Sequence, residues 1–315
     1  MRYYFAPLEG LTDSIYRQLH HTYFGGADRY YTPFFSPTVH RSLTPREKRE
    51  LPCADTLGFP VVPQLLTKVP EDFLWMAGVC RDHGYPEVNL NVGCPSGTVT
   101  AKGKGSGMLR DLDGLDAFLE QIYSAAPLPI SVKTRIGFAE PEEFEKILAV
   151  YNRYPICELT IHPRVRSAFY NGPVHMDTFR FAVENTKIPL CYNGNLYTTD
   201  HLTAFQAEFP QVDALMLGRG LIADPGLLTP DGTTSKALEG FHDALLEAYI
   251  REFGGSRNAM FRMKENWRHW LCKFQDSEKL GKRLRKTTDV AEYKAITHEI
   301  FHNLPMHKNL HPDWD

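Results

Sequence analysis

Short runs of β-branched and aromatic residues recur along the first two thirds of the chain. Such runs, bounded by turn-forming residues, are typical of strands. They predict eight strands, at residues 3–7, 29–32, 61–66, 87–91, 130–134, 158–162, 189–193 and 214–218. Their starts lie roughly 25 to 43 residues apart, which is the spacing of repeated strand–helix units.

Between most of these runs, apolar residues recur every three or four positions, as they do along one face of a helix. This spacing predicts helices at residues 12–23, 71–81, 112–125, 141–154, 177–185 and 199–209. Eight alternating units favour an α/β fold in which the strands close into a parallel (β/α)₈ barrel, the TIM barrel. A doubly wound open sheet is the alternative that the same pattern allows.

The pattern changes after Gly220, where the strand signals end. Residues 221–235 are rich in Gly, Pro, Thr and Asp, which predicts a linker. Further helices are predicted at residues 241–253, 257–274 and 277–303. We therefore predict a TIM-barrel catalytic domain over residues 1–235, followed by a small all-helical domain over residues 236–315.

The formal net charge of the 315-residue chain is −3, whereas many nucleic-acid-binding proteins are basic. Any contact with RNA therefore has to come from a local patch. None of the six cysteines belongs to a C-x-x-C pair, so no metal site or redox dithiol is expected. The N-terminal MRYYFAPLEG contains no apolar leader, and no run is long enough to span a membrane. These features predict a cytoplasmic protein without membrane contact.

Polar residues cluster at the carboxyl ends of seven of the eight predicted strands. These ends meet at one mouth of a parallel barrel, where the active sites of barrel enzymes lie. One such residue is readily explained as a partner for a buried backbone group. Seven strands that deliver polar groups to the same mouth predict an active site.

The ends of the last two strands carry glycines, in Asn193-Gly194-Asn195 and in Gly218-Arg219-Gly220. Loops after the last two strands of a barrel often bind a phosphate. Glycine lets backbone N–H groups approach an anion closely. Thr198 and Thr199 follow as candidate N-caps of the next helix. Because no G-x-G-x-x-G or Walker motif occurs, a Rossmann dinucleotide site is disfavoured.

Lys133 and His162 lie on neighbouring predicted strands and end at the same mouth. Two potential cations beside a phosphate site suit a phosphorylated cofactor with an electron-accepting ring. FMN fits this description, since a fixed lysine stabilises the negative charge that a flavin gains on reduction. The alternative role for Lys133 is a Schiff base with a carbonyl substrate.

Cys94 lies in the loop Asn91-Val92-Gly93-Cys94-Pro95-Ser96-Gly97, directly after the fourth predicted strand. The flanking Gly and Pro predict an irregular loop, so the thiol is not expected in the core. A structural role suits the other five cysteines better. A thiol with an ordinary pKa of about 8.5 is a competent proton donor at neutral pH. We therefore predict that Cys94 is a catalytic acid.

Six motifs, in order along the chain, resemble those of the tRNA-dihydrouridine synthase family. They are APLEGLTD at residues 6–13, Gln64, NVGCPSGTVTAKGKGSGML at residues 91–109, VKTRIG at residues 132–137, the segment with His162, Arg164, Tyr170 and Gly172, and the pair NGN and LGRG. Arg262-Met263-Lys264, which opens an aromatic-rich helix, is similar to the start of the family's RNA-binding region. The chain departs from the family's usual pattern at Leu8, Pro163 and Asn195.

The resemblance implies that NADPH reduces bound FMN, which in turn reduces a uracil base in tRNA. It implies that Cys94 gives the proton to C5 of the base after hydride reaches C6. The implied cofactor-binding residues are Pro7, Leu8, Glu9, Gln64, Lys133, His162, Asn193, Gly194, Asn195, Gly218 and Arg219. The implied substrate-binding residues are Asn91, Arg164 and Tyr170. No protein partner is predicted.

Basic residues gather in the predicted helical domain, in the run from Lys279 to Lys286 and on one face of the helix before it. A charge run is usually a solvated surface, but the resemblance favours RNA contact. The expected RNA-binding residues are Lys264, Arg268, Lys282, Arg283 and Arg285. Two alternatives stay open: an FMN-dependent barrel enzyme for a free pyrimidine or another small enone, and a non-catalytic RNA-binding barrel.

Overall fold

A computed structural model describes residues 1–310, so the end of the predicted helical domain, residues 311–315, lies outside the described residues. The strands are β1 (Arg2–Phe5), β2 (Arg29–Tyr31), β3 (Val61–Val62), β4 (Gln64–Leu65), β5 (Val88–Val92), β6 (Ile130–Gly137), β7 (Leu159–Val165), β8 (Leu190–Tyr192) and β9 (Ala214–Leu217). The helices are α1 (Ser14–Tyr23), α2 (Pro45–Glu50), α3 (Pro70–Asp82), α4 (Gly97–Thr100), α5 (Leu112–Ala125), α6 (Phe144–Tyr151), α7 (Met176–Asn185), α8 (Thr199–Glu208), α9 (Arg219–Ala223), α10 (Ser235–Phe253), α11 (Ser256–Trp270), α12 (Glu278–Lys286) and α13 (Val290–Asn303). Short 3₁₀ turns cover Ala54–Thr56, Gly105–Arg110, Pro141–Glu143, Arg166–Ala168 and Leu271–Lys273.

The strands form one parallel sheet in the order β3-β2-β1-β9-β8-β7-β6-β5-β4. Only Pro63 separates β3 from β4, so the ring closes through this segment. Proline has no N–H to give to the ladder, which accounts for the split. Pairing resumes where the backbone N–H of Phe35 donates to the Gln64 carbonyl over 2.8 Å. The predicted TIM barrel is confirmed, with its third strand in two pieces.

Alternation along the strands builds two apolar layers. Tyr4, Tyr31, Cys191 and Met216 belong to a small buried cluster formed by the barrel strands. Neighbouring residues such as Phe5 belong to a much larger cluster that also contains residues of the surrounding helices. This arrangement holds the carboxyl ends of the strands in a fixed ring, from which the polar residues project.

The C-terminal helices pack against the barrel near the ends of β1 and β9. Arg262 of α11 pairs with Asp13 over 2.7 Å, and Tyr249 of α10 also donates to this carboxylate. Asp13 in turn caps α1 by accepting from the N–H of Tyr16. The indole N–H of Trp270 donates to the carbonyl of Ile222 over 3.0 Å. The helical region is therefore anchored directly to the loops that follow the first and last strands. A domain boundary at residues 235/236 stays a prediction.

The predicted linker over residues 221–235 is wrong. Its first residues lie in α9, and Leu221 and Ile222 are completely buried. Asp224 forms a buried ion pair with Lys273 over 2.8 Å. The Gly, Pro, Thr and Asp residues that suggested a linker instead build tight turns, in which the hydroxyl of Thr233 accepts from the N–H of Gly226.

The helix predicted over residues 277–303 is also wrong in one respect, because it is two helices, α12 and α13. The break falls before Asp289, whose carboxylate caps α13 by accepting from the N–H of Glu292 over 2.7 Å. An Asp side chain at such a position competes with a continued helix, because it satisfies the free N–H groups of a new one.

Within residues 1–310, no helix combines the length and apolar character needed to cross a membrane.

Candidate active site

A cavity of about 710 Å³ opens at the carboxyl ends of the barrel strands. Every residue predicted for catalysis, cofactor binding or substrate binding lines it: Pro7, Leu8, Glu9, Gln64, Asn91, Cys94, Lys133, His162, Arg164, Tyr170, Asn193, Gly194, Asn195, Gly218 and Arg219. The barrel topology explains this convergence, since parallel strands deliver all their carboxyl ends to one side. The role predicted for each of these residues stays a prediction.

A relay of side-chain amides connects β4 and β5 to the Cys94 loop. Gln64 Nε2 donates to Asn89 Oδ1 over 2.8 Å, and Asn91 Nδ2 donates to Gln64 Oε1 over 2.7 Å. Asn91 Oδ1 accepts from the backbone N–H groups of Gly93 and Cys94, at 3.0 and 2.9 Å. All three amides are buried. The loop therefore starts from a rigid polar anchor within the barrel wall.

The rest of the Cys94 loop folds back on this anchor. The carbonyl of Cys94 accepts from both the N–H and the hydroxyl of Ser106, at 3.1 and 2.8 Å. Gly105 adopts a left-handed φ of +57°, and a Cβ there would lie 2.9 Å from the Cys94 carbonyl oxygen. A residue with a side chain would push this loop away from Cys94. Burial raises the pKa of the Cys94 thiol, so the thiol is held protonated at neutral pH.

Lys133 projects from the middle of β6 into the cavity. Burial, followed by repulsion from Arg135, lowers the pKa of Lys133 to about 8. Within residues 1–310, its amine makes no hydrogen bond or ion pair. Arg135, by contrast, is committed to the backbone, and donates to the carbonyls of Gly93 over 3.0 Å and Val165 over 2.8 Å. Lys133 thus offers a ligand a positive charge that no neighbouring carboxylate already pairs.

His162 and Arg164 form one buried unit with Asn195. Arg164 Nη1 lies 3.1 Å from His162 Nε2 and 3.2 Å from Asn195 Oδ1. Because the guanidinium can only donate, His162 Nε2 accepts and its proton is on Nδ1. Burial, together with the charges of Arg135 and Lys133, lowers the pKa of His162 well below its usual range, so the ring is neutral. These contacts place Arg164 beside the predicted cofactor residues, and its substrate role stays a prediction.

The ends of β8 and β9 offer free backbone donors. Within residues 1–310, the N–H groups of Gly194 and Asn195 have no hydrogen-bond partner. Gly220 lets the two loops approach, since a Cβ there would lie 2.1 Å from the carbonyl oxygen of Leu196. Of the two predicted N-cap candidates, Thr198 and Thr199, Thr198 caps α8 by accepting from the N–H of His201. Paired free N–H groups at a close approach of two loops suit an anion.

Glu9 lies at the rim of the cavity rather than at its floor. Its carboxylate pairs with Arg46 of α2 over 2.5 Å, and 41% of the Glu9 side chain is exposed. Glu9 thus connects the loop after β1 to a short helix that the sequence pattern did not predict. The cofactor role of Glu9 stays a prediction.

Several residues that line the cavity were not predicted from the sequence, notably Phe169, Tyr197 and His269. Tyr197 accepts from Arg219 over 2.6 Å and donates to Asn195 over 3.0 Å. Phe169 is a half-exposed aromatic residue with a positive φ of 49°. His269 comes from α11, in the C-terminal helices. Nothing in a local pattern could have identified His269, because it reaches the mouth only through packing of the helices on the barrel.

The residues predicted to bind RNA lie outside the cavity. Lys282 and Arg285 are exposed on α12. Arg268 pairs with Glu265 over 2.9 Å. Lys264 donates to the backbone carbonyls of Arg285 and Thr287 at the end of α12, and such a contact stabilises a helix end. Arg283 has two looser ion pairs, with Glu292 over 3.8 Å and Glu299 over 3.6 Å. Contact of these residues with RNA stays a prediction.

The dihydrouridine synthase family matches residues 4–302 of the chain. The chain belongs to the dihydrouridine synthase family. This synthase is 31% identical over 222 residues to tRNA-dihydrouridine synthase B of Proteus vulgaris, across 70% of this chain and 67% of that protein. It is 28% identical over 313 residues to tRNA-dihydrouridine(16) synthase of Pseudomonas putida, across 92% of this chain and 94% of that protein. The predicted family and enzyme class, a flavin-dependent oxidoreductase, are confirmed.

Two solved structures resemble this synthase in fold at low sequence identity. Morphinone reductase superposes with a TM-score of 0.52 at 13% identity, over 72% of this chain and 84% of that chain. The old yellow enzyme homologue from Zymomonas mobilis also gives a TM-score of 0.52 at 13% identity, over 72% of this chain and 86% of that chain. This likeness supports the barrel architecture.

Proposed function

We propose that this synthase reduces uridines in tRNA to 5,6-dihydrouridine in the cytoplasm, with bound FMN as cofactor and NADPH as reductant. One observation carries the proposal. The Cys94 thiol, the unpaired Lys133 amine and the free N–H groups of Gly194 and Asn195 all face one cavity. The cavity thus supplies a proton donor, a cation and an anion cradle in a chain of the dihydrouridine synthase family.

The residues present fit a phosphorylated flavin. The free N–H groups of Gly194 and Asn195 would hold the phosphate, with Arg219 beside them. Lys133 and His162 would hold the electron-accepting ring, because one offers a charge without a partner and the other offers a neutral Nδ1 donor. When bound, the flavin supplies the hydride that reduces the C5–C6 double bond of uracil.

Cys94 donates the proton that C5 of uracil needs. Burial raises the pKa of this thiol, so it is in the protonated form that a general acid requires. The side-chain oxygen of Asn91 holds the start of the loop in place by accepting hydrogen bonds from the backbone N–H groups of Gly93 and Cys94. Cys94 therefore acts from a fixed position, and its contribution is on the order of 10²–10⁴-fold in rate.

The tRNA substrate is proposed from the relatives named above, which are tRNA-dihydrouridine synthases. A base within folded RNA has to leave its stack to reach an enclosed site, at a cost of a few kcal/mol. Tyr170 and Phe169 offer aromatic surface at the mouth, each more than 40% exposed. Aromatic rings of this kind stack on unpaired bases. They would receive the base as it enters.

The proposal is tested with purified protein and unmodified tRNA. Heat-released cofactor should be FMN by mass spectrometry, and incubation with NADPH should produce dihydrouridine in the tRNA but not in free uridine. Release of FAD only, or no flavin binding after reconstitution, would contradict the cofactor assignment. Equal activity on free uridine would favour a small-molecule enzyme instead. Flavin reduction without any dihydrouridine in tRNA would refute the proposed substrate.

A further inference from the structure

Three lysines from two strand-end loops meet next to the turn that follows Cys94. Lys68 follows β4, whereas Lys102 and Lys104 follow β5, beyond the Cys94 turn. The Lys68 amine lies over the backbone between the other two lysines, 3.2 Å from where a Cβ on Gly103 would be. The Lys104 amine donates to Ser36 Oγ over 3.1 Å, which ties in a third strand-end loop.

This cluster of Lys68, Lys102 and Lys104, the lysine rim, forms no ion pair within residues 1–310. Asp72 is the acidic group that acts on Lys104, and it already pairs with Arg41 over 3.8 Å. Burial lowers the pKa of Lys104 first, and repulsion from Lys102 and Lys68 lowers it further. The like charges are therefore close enough to repel one another. A fold keeps such an arrangement at low cost only when the amines are in solvent or face an anion.

The lysine rim is part of the same loop as Cys94. Lys104 precedes Gly105, whose backbone is pressed against the Cys94 carbonyl. Thr98 and Val99 of the intervening turn line the cavity itself. The three lysines do not line the cavity, so they lie outside it, next to this turn. An RNA strand that places one nucleotide at Cys94 would pass its neighbouring nucleotides over the lysine rim.

The strand order puts the lysine rim away from the C-terminal helices. Those helices contact the loops after β1 and β9, whereas the rim follows β4 and β5, on the far side of the ring. The exposed Lys282 and Arg285 belong to the C-terminal side. The lysine rim is therefore a group of positive charges separate from the basic run on α12.

We propose that Lys68, Lys102 and Lys104 form a phosphate-binding rim that holds the RNA backbone next to the nucleotide whose base enters the cavity. The inference rests on the proposed function, since it specifies how the tRNA is held at that site. The anion is a phosphate of the RNA backbone rather than of a dinucleotide, because the amines lie outside the cavity that receives the reacting groups. Backbone phosphates next to an extruded base lie outside such a pocket as well.

The test uses the FMN-loaded 315-residue chain. The double variant Lys68→Ala/Lys102→Ala removes two exposed amines that make no hydrogen bond or ion pair within residues 1–310. The control Lys146→Ala/Lys187→Ala removes two exposed lysines elsewhere on the barrel with the same change in net charge. Binding of unmodified tRNA is measured by filter binding from about 50 to 200 mM salt. Thermal melting confirms that both variants fold.

The rim variant should bind tRNA on the order of 10-fold more weakly at low salt, and its log–log salt slope should fall by about one per lysine. The control should behave as the wild type, and flavin reduction by NADPH should be unchanged in both.

A rim variant with the control's affinity and slope would overturn the inference. A raised KM for NADPH with unchanged tRNA binding would overturn it too, since the rim would then bind a dinucleotide phosphate. If the wild type binds no tRNA, the proposed function is refuted as well. If the wild type forms dihydrouridine and the rim variant binds tRNA with unchanged affinity and salt slope, only the role of the lysine rim is refuted.

Discussion

The side-chain oxygen of Asn91 accepts a hydrogen bond from the backbone N–H of Cys94 over 2.9 Å. The same oxygen accepts from Gly93, and the amide nitrogen of Asn91 donates to Gln64. One buried side chain therefore fixes the orientation of the Cys94 loop relative to two strands. Asn91 was expected to bind substrate. Its contacts within the protein already give it a structural role.

Replacement of Asn91 with Ala should separate positioning of Cys94 from cofactor binding. The variant leaves two backbone N–H groups and the Gln64 oxygen unpaired, at about 1–3 kcal/mol of stability for each buried group left without a partner. We expect dihydrouridine formation to fall more than flavin reduction by NADPH. The control is Asn89→Ala, which removes a neighbouring amide of the relay but leaves the bonds to the Cys94 loop. Equal losses in both variants would show that Asn91 only stabilises the barrel.

Replacement of Cys94 with Ala should block uridine reduction while the protein still folds and binds FMN. Loss of a general acid predicts a fall of about 10²–10⁴-fold, or roughly 3 to 5 kcal/mol in barrier. Cys94→Ser should be nearly as poor, because a hydroxyl is a much weaker acid than a thiol. Stopped-flow absorbance measures the two half-reactions separately. Near-normal flavin reoxidation by tRNA in the Ala variant would exclude Cys94 as the acid.

Local pattern was sufficient for the barrel and most of the site, because a strand–helix repeat dictates which residues end at the mouth. Lys133 and His162 could be paired from strand order alone. His269 could not, because it reaches the cavity through docking of α11, and Asp13 and Arg262 form their ion pair 249 positions apart. The supposed linker failed for the same reason, since composition predicts turns but not that Trp270 and Lys273 contact them.

Acylation of Lys133 should report its lowered pKa directly. An amine is neutral above its pKa, so in FMN-free protein the rate of acetylation of Lys133 should rise with pH to a midpoint of about 8. Ordinary lysines ionise near 10.4. Peptide mass spectrometry after short pulses of acetic anhydride gives the midpoint. Limited access of the reagent to the amine lowers the rate at every pH but does not move this midpoint. FMN should protect the amine, and a midpoint near 10.4 would contradict its burial as a cation without a partner.

The same shift affects stability at alkaline pH. Between pH 8 and the ordinary lysine pKa of about 10.4, the unfolded chain holds the Lys133 proton and the folded chain has lost it. The contribution of Lys133 to the free energy of unfolding therefore rises with pH in this window. Below pH 8 both states are charged, and the full cost of burying the cation is present. Lys133→Met should be more stable than the wild type at pH 7, with the difference shrinking towards pH 10. A difference that does not change with pH would contradict this account.

Lys264 should stabilise the protein rather than bind tRNA, whereas Lys282 and Arg285 should do the reverse. The Lys264 amine donates to the carbonyls of Arg285 and Thr287, and so satisfies acceptors that the end of α12 leaves open. Lys264→Ala should lower the free energy of unfolding by about 1 kcal/mol, or roughly 2 °C in Tm. Its affinity for tRNA measured well below Tm should be unchanged. Lys282→Ala/Arg285→Ala should leave Tm unchanged, because both side chains are exposed, but should weaken tRNA binding and flatten its salt dependence. If the double variant binds tRNA as the wild type does, the run on α12 is a solvated surface. If Lys264→Ala loses affinity at constant Tm, its amine leaves the helix end to contact RNA.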